Sequence, residues 1–192
     1  MRIIAAQGTA EEIAHGMHPE MLARLQTADL GPVATGYARD RFGHFGFGGI
    51  TVRNADQTFE RQLTIEVGGR RVELLNLGPA HTAADSVVHV PEAGVLFAGD
   101  LLFIGCTPIV WSGPIENWIA ACDAMIALEP SVVVPGHGPV TDSDGIRAVR
   151  GYLVHISEQA EAAYRKGCRS SRPSTSSTSV STRPGWTPNG WS

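Results

Sequence analysis

Three side chains that could bind a metal ion each follow an apolar stretch of the chain. His81 comes after "LLNLGPA", Asp100 after "VLFAG" and His137 after "VVVPG". Imidazole nitrogens combined with a carboxylate oxygen suit Zn²⁺, Fe²⁺ or Mn²⁺. Each apolar stretch predicts a strand, so each candidate ligand is expected in the loop just beyond a strand end. Loops at one edge of a sheet can converge, and we expect these three side chains to gather around one point.

The residues around Asp100 also argue for a partner. Residues 95–98 and 101–103 are apolar on either side of Gly99-Asp100. A carboxylate buried among them without a partner would cost several kcal/mol or would titrate to neutrality. An arginine, backbone N–H groups or a metal ion could meet this need. The two histidine motifs favour the metal ion.

Composition restricts the kind of protein. With 192 residues, 43% hydrophobic and 18% charged, the chain can form one globular domain with a substantial core. Its net charge of -4 argues against a nucleic-acid partner. No apolar run approaches the roughly 20 residues that cross a bilayer, and the N-terminus does not resemble a signal peptide. The three cysteines lack C-x-x-C spacing. We therefore predict a cytoplasmic protein with no membrane partner.

The first third of the chain gives weak structural signals. Residues 2–6 predict a short strand. Apolar spacing over 9–25 predicts a helix, with Thr9 and Glu12 spaced as a capping box, although Gly16 and Pro19 interrupt the middle. The glycine-rich segment 31–59 predicts a surface loop with one short strand near 50–52.

The remainder gives stronger signals. Period-two alternation around Gly68-Gly69 predicts a β-hairpin. The other predicted elements are strands at 86–90, 94–98 and 131–135 and helices at 115–128 and 143–166. Strands in antiparallel runs with helices between and after them predict a layered α+β fold. Residues 169–192 are rich in Ser, Thr, Arg and Pro, so we predict a domain over 1–168 followed by a disordered tail.

"GPAHTAADSVVHVPEAGVLFAGDLLF" and "VVVPGHGPVTD" resemble the second half of a metallo-β-lactamase-fold hydrolase, the superfamily that includes glyoxalase II-type thioesterases. The resemblance implies an αββα sandwich with two metal ions, zinc by preference, at one edge. By this resemblance His81 matches a ligand of the first metal, Asp100 the carboxylate that bridges both metals, and His137 the last ligand of the second. Thr82 and Asp85 match polar residues that support these ligands.

The family's first metal motif, H-x-H-x-D-H, is absent from the 192 residues. By the family's order it would precede residues 2–6, so we expect an N-terminally truncated, partial domain. Three of seven family ligands remain, and we expect low metal occupancy. Truncation would also leave an unpaired sheet edge through which copies of the chain could associate.

The resemblance implies that a metal-activated water attacks an ester, thioester or amide carbonyl of a small-molecule substrate, with activity impaired by the missing motif. The main alternative is a non-catalytic fragment or interaction remnant of the fold, and a weaker one is a redox di-iron protein. His15 and His18, spaced i, i+3 on a predicted helix, could replace missing ligands, but helix-surface histidines are far commoner. We expect structural or solvated roles for the others, which are His44, His89 and His155.

Overall fold

The protein is described by a computed structural model that covers residues 2–16 and 18–167. Helices and strands are mixed throughout, which confirms the α+β class. The described residues divide into two compact units, those up to residue 60 and those from residue 61 onward, and each unit is considered by itself. The predicted disordered tail, residues 169–192, lies outside the described residues.

The first unit pairs two short strands and carries three helices. β1 (Ile4–Ala6) runs parallel to β2 (Gln57–Phe59), and the buried residues Ala6 and Phe59 are partners in the register. The three helices between these strands are α1 (Gln7–His15), α2 (Pro19–Thr27) and α3 (Pro32–Phe42).

The prediction of one helix over 9–25 is wrong. The first helix ends at His15, because Gly16 turns the chain away from the helix axis. In the Gly16 conformation a Cβ would lie 2.4 Å from the Glu12 carbonyl oxygen. A new helix begins at Pro19, whose fixed φ suits a first helical position. The capping box is also wrong, because α1 begins at Gln7 and Thr9 lies inside its first turn. His15 and His18 therefore do not share one helix.

The prediction of a surface loop over 31–59 is also wrong in part. α3 occupies its first third because Gly31, with φ of 82°, turns the chain into a helix and Pro32 is pre-organised for the first position. Leu30 N–H donates to Thr35 Oγ1 at 2.9 Å across this start. Within the described residues the strand of this segment lies at 57–59 and not at 50–52.

The second unit contains a five-stranded sheet in the order β3-β4-β5-β6-β7. The strands are β3 (Gln62–Val67), β4 (Arg70–Asn76), β5 (Ser86–Val90), β6 (Val95–Phe103) and β7 (Val132–His137). The first four are antiparallel, and β7 runs parallel to β6. Gly68 and Gly69 have φ of 58° and 77°, as a two-residue hairpin turn requires, so the predicted hairpin is confirmed.

Two helices cover the core of this unit. α4 (Ile115–Ala127) and α5 (Ser143–Arg165) lie close to their predicted bounds. Asp142 caps α5, because its Oδ1 accepts from Asp144 N–H at 2.8 Å. The largest fully buried side chains come from β5, β6, β7 and the two helices, and include Val87, Leu96, Leu101, Leu102, Trp118, Met125, Val133, Ile146 and Leu153. No helix of the described part of the chain is long and apolar enough to span a bilayer.

The layout predicted for the candidate ligands is wrong for two of them. Asp100 lies inside β6 rather than beyond it, and His137 is the last residue of β7. β6 continues past Asp100 because Gly99, with φ of 53°, absorbs an irregularity at which the pairing with β7 shifts. His81 does lie in a loop, between β4 and β5.

Candidate metal centre

The structure brings the three predicted ligands together, with Asp100 of β6 between His137 at the end of β7 and His81 of the β4–β5 loop. His81 Nε2 lies 3.8 Å from Asp100 Oδ2, and His137 Nε2 lies 3.4 Å from Asp100 Oδ1. Each carboxylate oxygen therefore faces a different histidine. Asp100 thus stands between the two imidazoles.

Asp100 is not buried, so the premise that its apolar neighbours demand a partner is wrong. Its side chain is 48% exposed, like that of His137 at 50%, whereas that of His81 is 8% exposed. The irregularity at Gly99 turns Asp100 outward, and the apolar residues 101–103 are buried immediately afterwards. Because water reaches the carboxylate, its apolar neighbours in the sequence do not by themselves call for a metal ion.

Loop 104–114, which joins β6 to α4, orients His81. His81 Nδ1 lies 2.6 Å from the carbonyl oxygen of Ile109. A carbonyl oxygen only accepts, so Nδ1 carries the hydrogen and the neutral ring has its lone pair on Nε2. That lone pair and Asp100 Oδ2 are two acceptors facing one another, an arrangement that a cation or a proton between them stabilises.

The same loop also holds the backbone of His81. The N–H groups of Trp111 and Ser112 donate to the His81 carbonyl oxygen at 3.1 and 3.2 Å. Backbone and side chain of His81 are thus tied to one loop. Sequence reasoning missed the Ile109 carbonyl, because every residue has a carbonyl and nothing in the sequence marks the one that a histidine will reach.

Asp85 stabilises the turn that carries His81. Its carboxylate accepts from Ala80 N–H at 3.0 Å, from Thr82 N–H at 3.0 Å and from Thr82 Oγ1 at 2.8 Å. The structure thus brings Thr82 and Asp85 together around the backbone next to His81. Their supporting role toward a metal ion stays a prediction. These hydrogen bonds are the means by which the two residues could hold His81 in place.

We expect Asp85→Asn to lower the free energy of unfolding by about 2 kcal/mol, because the amide replaces a charged acceptor of several hydrogen bonds with a neutral one. Urea denaturation followed by circular dichroism measures this. Asp40→Asn is the matched control. The Asp40 side chain is 81% exposed, and its ion pair with Arg41 is long, at 4.0 Å. Coincident unfolding curves for the two variants would contradict the role given to Asp85.

Aromatic rings and a glycine shape the other side of the centre. The Phe103 ring stacks on His137 with centroids 4.3 Å apart and planes at 17°, and it also lies 5.5 Å from the His81 ring. Trp118 meets His81 edge-on at 5.6 Å. A Cβ at Gly136 would lie 2.1 Å from Asp100 Oδ1, so only glycine lets β7 pass this close to the carboxylate.

The donor types suit a metal ion, but the number of donors does not. Across residues 2–16 and 18–167 there is no group of three or more His, Cys, Asp or Glu side chains that could hold one ion. The centre instead consists of two pairs that share Asp100. Catalytic zinc normally has three protein ligands, so each pair is one ligand short.

The other histidines differ in their exposure. His15, His18, His44 and His155 are exposed. His89 is buried in β5 and its Nδ1 lies 3.1 Å from Glu73 Oε2, its partner across the neighbouring strand. His89 therefore has the structural role that we expected.

A family model described as the metallo-beta-lactamase superfamily matches residues 3–137, more than half of the chain, and all three candidate ligands fall within the match. The chain belongs to the metallo-beta-lactamase superfamily. The resemblance seen in the sequence and the fold it implied are thereby confirmed. Membership supports a hydrolase-type fold from a family that typically binds metal ions.

Individual relatives are distant. The chain is 26% identical to 2,4-dinitroanisole O-demethylase subunit alpha of Nocardioides sp. (strain JS1661), over 53% of this chain and 39% of that one. Among solved structures, a metallo-beta-lactamase from Pontibacter korlensis is 27% identical over 53% of this chain and 49% of its own, with a TM-score of 0.47. The stereoselective inverting sec-alkylsulfatase Pisa1 from Pseudomonas sp. is 16% identical over 60% and 20%, with a TM-score of 0.50. The chain thus spans less than half the length of the curated relative.

Proposed function

We propose that this chain is a metal-dependent hydrolase of small esters, thioesters or amides, with His81, Asp100 and His137 as metal ligands. The observation that carries the proposal is the placement of Asp100 between two imidazole nitrogens, with one oxygen toward each. Two-metal hydrolases use such a shared carboxylate. Zinc is the proposed metal, and the donor set also tolerates iron and manganese.

Bound ions would supply a nucleophilic hydroxide at neutral pH and would polarise the carbonyl oxygen of the substrate. The chain's own residues have separate tasks. Ile109 fixes the His81 tautomer that leaves Nε2 free to coordinate. Phe103 covers one face of His137 and limits the water that reaches that ring. Asp85 holds the turn that presents His81.

We further propose that the 192 residues alone bind metal weakly and hydrolyse little, because each ion would have two protein ligands. The second candidate function is that of a non-catalytic domain of the fold, and the same shortage of ligands supports it. Metal retention and ester turnover, measured together, separate an impaired hydrolase from a non-catalytic domain.

After loading with zinc and dialysis, we expect the purified chain to retain well below one zinc per molecule and to hydrolyse an activated ester slightly above background. Elemental analysis and absorbance measure the two quantities. Asp100→Asn should remove the residual metal binding and turnover, because it removes the shared carboxylate. Asp40→Asn, remote in sequence and exposed, should leave both unchanged.

Near-stoichiometric zinc with strong esterase activity would overturn the proposed impairment. Equal metal binding by the parent and Asp100→Asn would overturn the proposed ligands. Metal binding that depends on Asp100 without any turnover would favour the non-catalytic domain.

The choice of substrates for this test follows from the relatives. The Nocardioides protein is named for the O-demethylation of 2,4-dinitroanisole, an aryl methyl ether. We therefore propose a panel with a neutral aryl ester, a thioester, an amide and an aryl methyl ether. Pocket loops rather than the fold select among such substrates.

A further inference from the structure

A cavity of about 390 Å³ lies between the start of loop 104–114 and the first turns of α5. This volume falls within the range of small-molecule sites, roughly 300–1,000 Å³. The lining residues used below are Phe103, Cys106, Pro108, Thr141, Ala148 and Tyr152. Phe103 is shared with the candidate metal centre, because the same ring stacks on His137.

Hydrogen bonds at both ends of the lining loop connect the cavity to the centre. Ile104 N–H donates to the His137 carbonyl oxygen at 2.8 Å, and five residues later Ile109 accepts from His81 Nδ1 at 2.6 Å. The segment from Ile104 to Ile109 is therefore hydrogen-bonded to His137 at one end and to His81 at the other. A group seated in the cavity would contact Phe103, the residue whose ring stacks on His137.

The opposite wall is also held in place. Thr141 exchanges two backbone hydrogen bonds with Val133 of β7, at 2.8 and 2.9 Å. The first turn of α5 packs tightly on Thr141, because a Cβ at Gly145 would lie 2.4 Å from Thr141 Oγ1. A cavity with both walls fixed needs little rearrangement to receive a ligand.

Charge at the cavity disfavours anions. Among the described lining residues there is no Lys or Arg, whereas Asp142 and Asp144 both contribute. The start of α5 would ordinarily attract an anion, but the Asp142 carboxylate already accepts from the Asp144 N–H. Asp144 also pairs with Arg147 at 3.1 Å, whereas among the described residues the Asp142 carboxylate has no cationic side chain as a partner.

We propose that this cavity binds an uncharged apolar group, such as an aryl or branched acyl group, and thereby selects neutral over anionic substrates. The identification of that group as part of a substrate rests on the proposed function. The cavity and its charge preference can be tested without catalysis, so the two proposals can fail separately.

Two dyes with the same ring skeleton provide the test. N-phenyl-1-naphthylamine is neutral, and 1-anilinonaphthalene-8-sulfonate carries a sulfonate. We expect the neutral dye to bind with enhanced fluorescence and the anionic dye to bind at least about tenfold more weakly, a difference of about 1.4 kcal/mol. Equal affinities would overturn the charge preference, and no binding of the neutral dye would overturn the site.

Cys106 reports where the dye binds. Cys106 is exposed and lines the cavity, whereas Cys122 is buried and desolvation raises its pKa to about 12, which keeps it an unreactive thiol. Cys168 lies outside the described residues and is replaced by serine in every sample. Saturating neutral dye should slow modification of Cys106 by a thiol reagent severalfold. An unchanged rate would place the dye elsewhere and overturn the site.

Matched substitutions on one helix complete the test. Ala148→Trp should fill the cavity and abolish dye binding, whereas Ala160→Trp, at an exposed position of α5 outside the lining, should leave it unchanged. Where circular dichroism shows that Ala148→Trp does not fold, Tyr152→Ala serves instead, with weaker dye binding expected. Normal dye binding by the folded cavity variant would overturn the proposal.

The Asp100→Asn variant distinguishes failure of the cavity from failure of the proposed function. It should bind the neutral dye as the parent does, because Asp100 is not a lining residue. Loss of metal binding with dye binding intact is the expected pattern. Dye binding that requires Asp100 would overturn the cavity as the dye site.

Discussion

Trp118→Ala is expected to lower the free energy of unfolding by about 3–5 kcal/mol. Trp118 lies on α4 with 0% of its surface exposed, and its Nε1–H donates to the Leu101 carbonyl oxygen at 2.9 Å. Truncation would leave a large cavity between α4 and the sheet and a buried carbonyl without its donor. Denaturant unfolding of parent and variant measures the loss.

Trp111→Ala is the matched control for Trp118, since the change is the same but the Trp111 side chain is 72% exposed. Its backbone N–H bond to His81 does not depend on the side chain. We expect an effect within about 0.5 kcal/mol. Comparable losses in the two variants would contradict the burial of the Trp118 side chain in the core.

Gly136→Ala is expected to lower the free energy of unfolding by about 3 kcal/mol, the upper part of the usual range for overpacking. The added methyl group would lie 2.6 Å from the Gly99 carbonyl carbon and 2.8 Å from the Asp100 backbone nitrogen. Backbone atoms of β6 cannot move aside as a flexible side chain can. Strands β6 and β7 must therefore separate locally, which would also move Asp100 away from His137.

Gly151→Ala is the control for Gly136→Ala, and it is expected to raise the free energy of unfolding rather than lower it. Gly151 lies inside α5, and a Cβ there would meet nothing within 4 Å. Because alanine is the better helix former, we expect a gain of about 0.5–1 kcal/mol. Urea unfolding of both variants gives the comparison. A stable Gly136→Ala protein would contradict the close passage of β7 against Asp100.

The hairpin at Gly68-Gly69, β5, the helices α4 and α5 and the family were all predictable from the sequence. Their signals are local, because a strand alternates every two residues and a surface helix repeats every three to four.

The errors arose where one or two residues change the backbone direction. Gly16 and Pro19 divide a predicted helix, Gly31 and Pro32 start one that was missed, and Gly99 carries β6 onward through Asp100. In each place the composition is compatible with more than one backbone path. Contacts with neighbouring strands and turns select among those paths. Local sequence patterns do not show these contacts.

For the candidate site too, some features could be predicted from the sequence and others are visible only in the folded chain. Residue type and motif order make His81, Asp100 and His137 the candidate ligands, because few side chains can bind a metal and the glycines beside them allow close approach. Only the folded chain shows that Asp100 is half exposed, that each of its oxygens faces a different imidazole, and that the Ile109 carbonyl selects the His81 tautomer. Side-chain chemistry is a property of each residue and can be predicted from the sequence. Distances, exposure and backbone hydrogen bonds depend on residues far apart in the chain, and only folding brings these together.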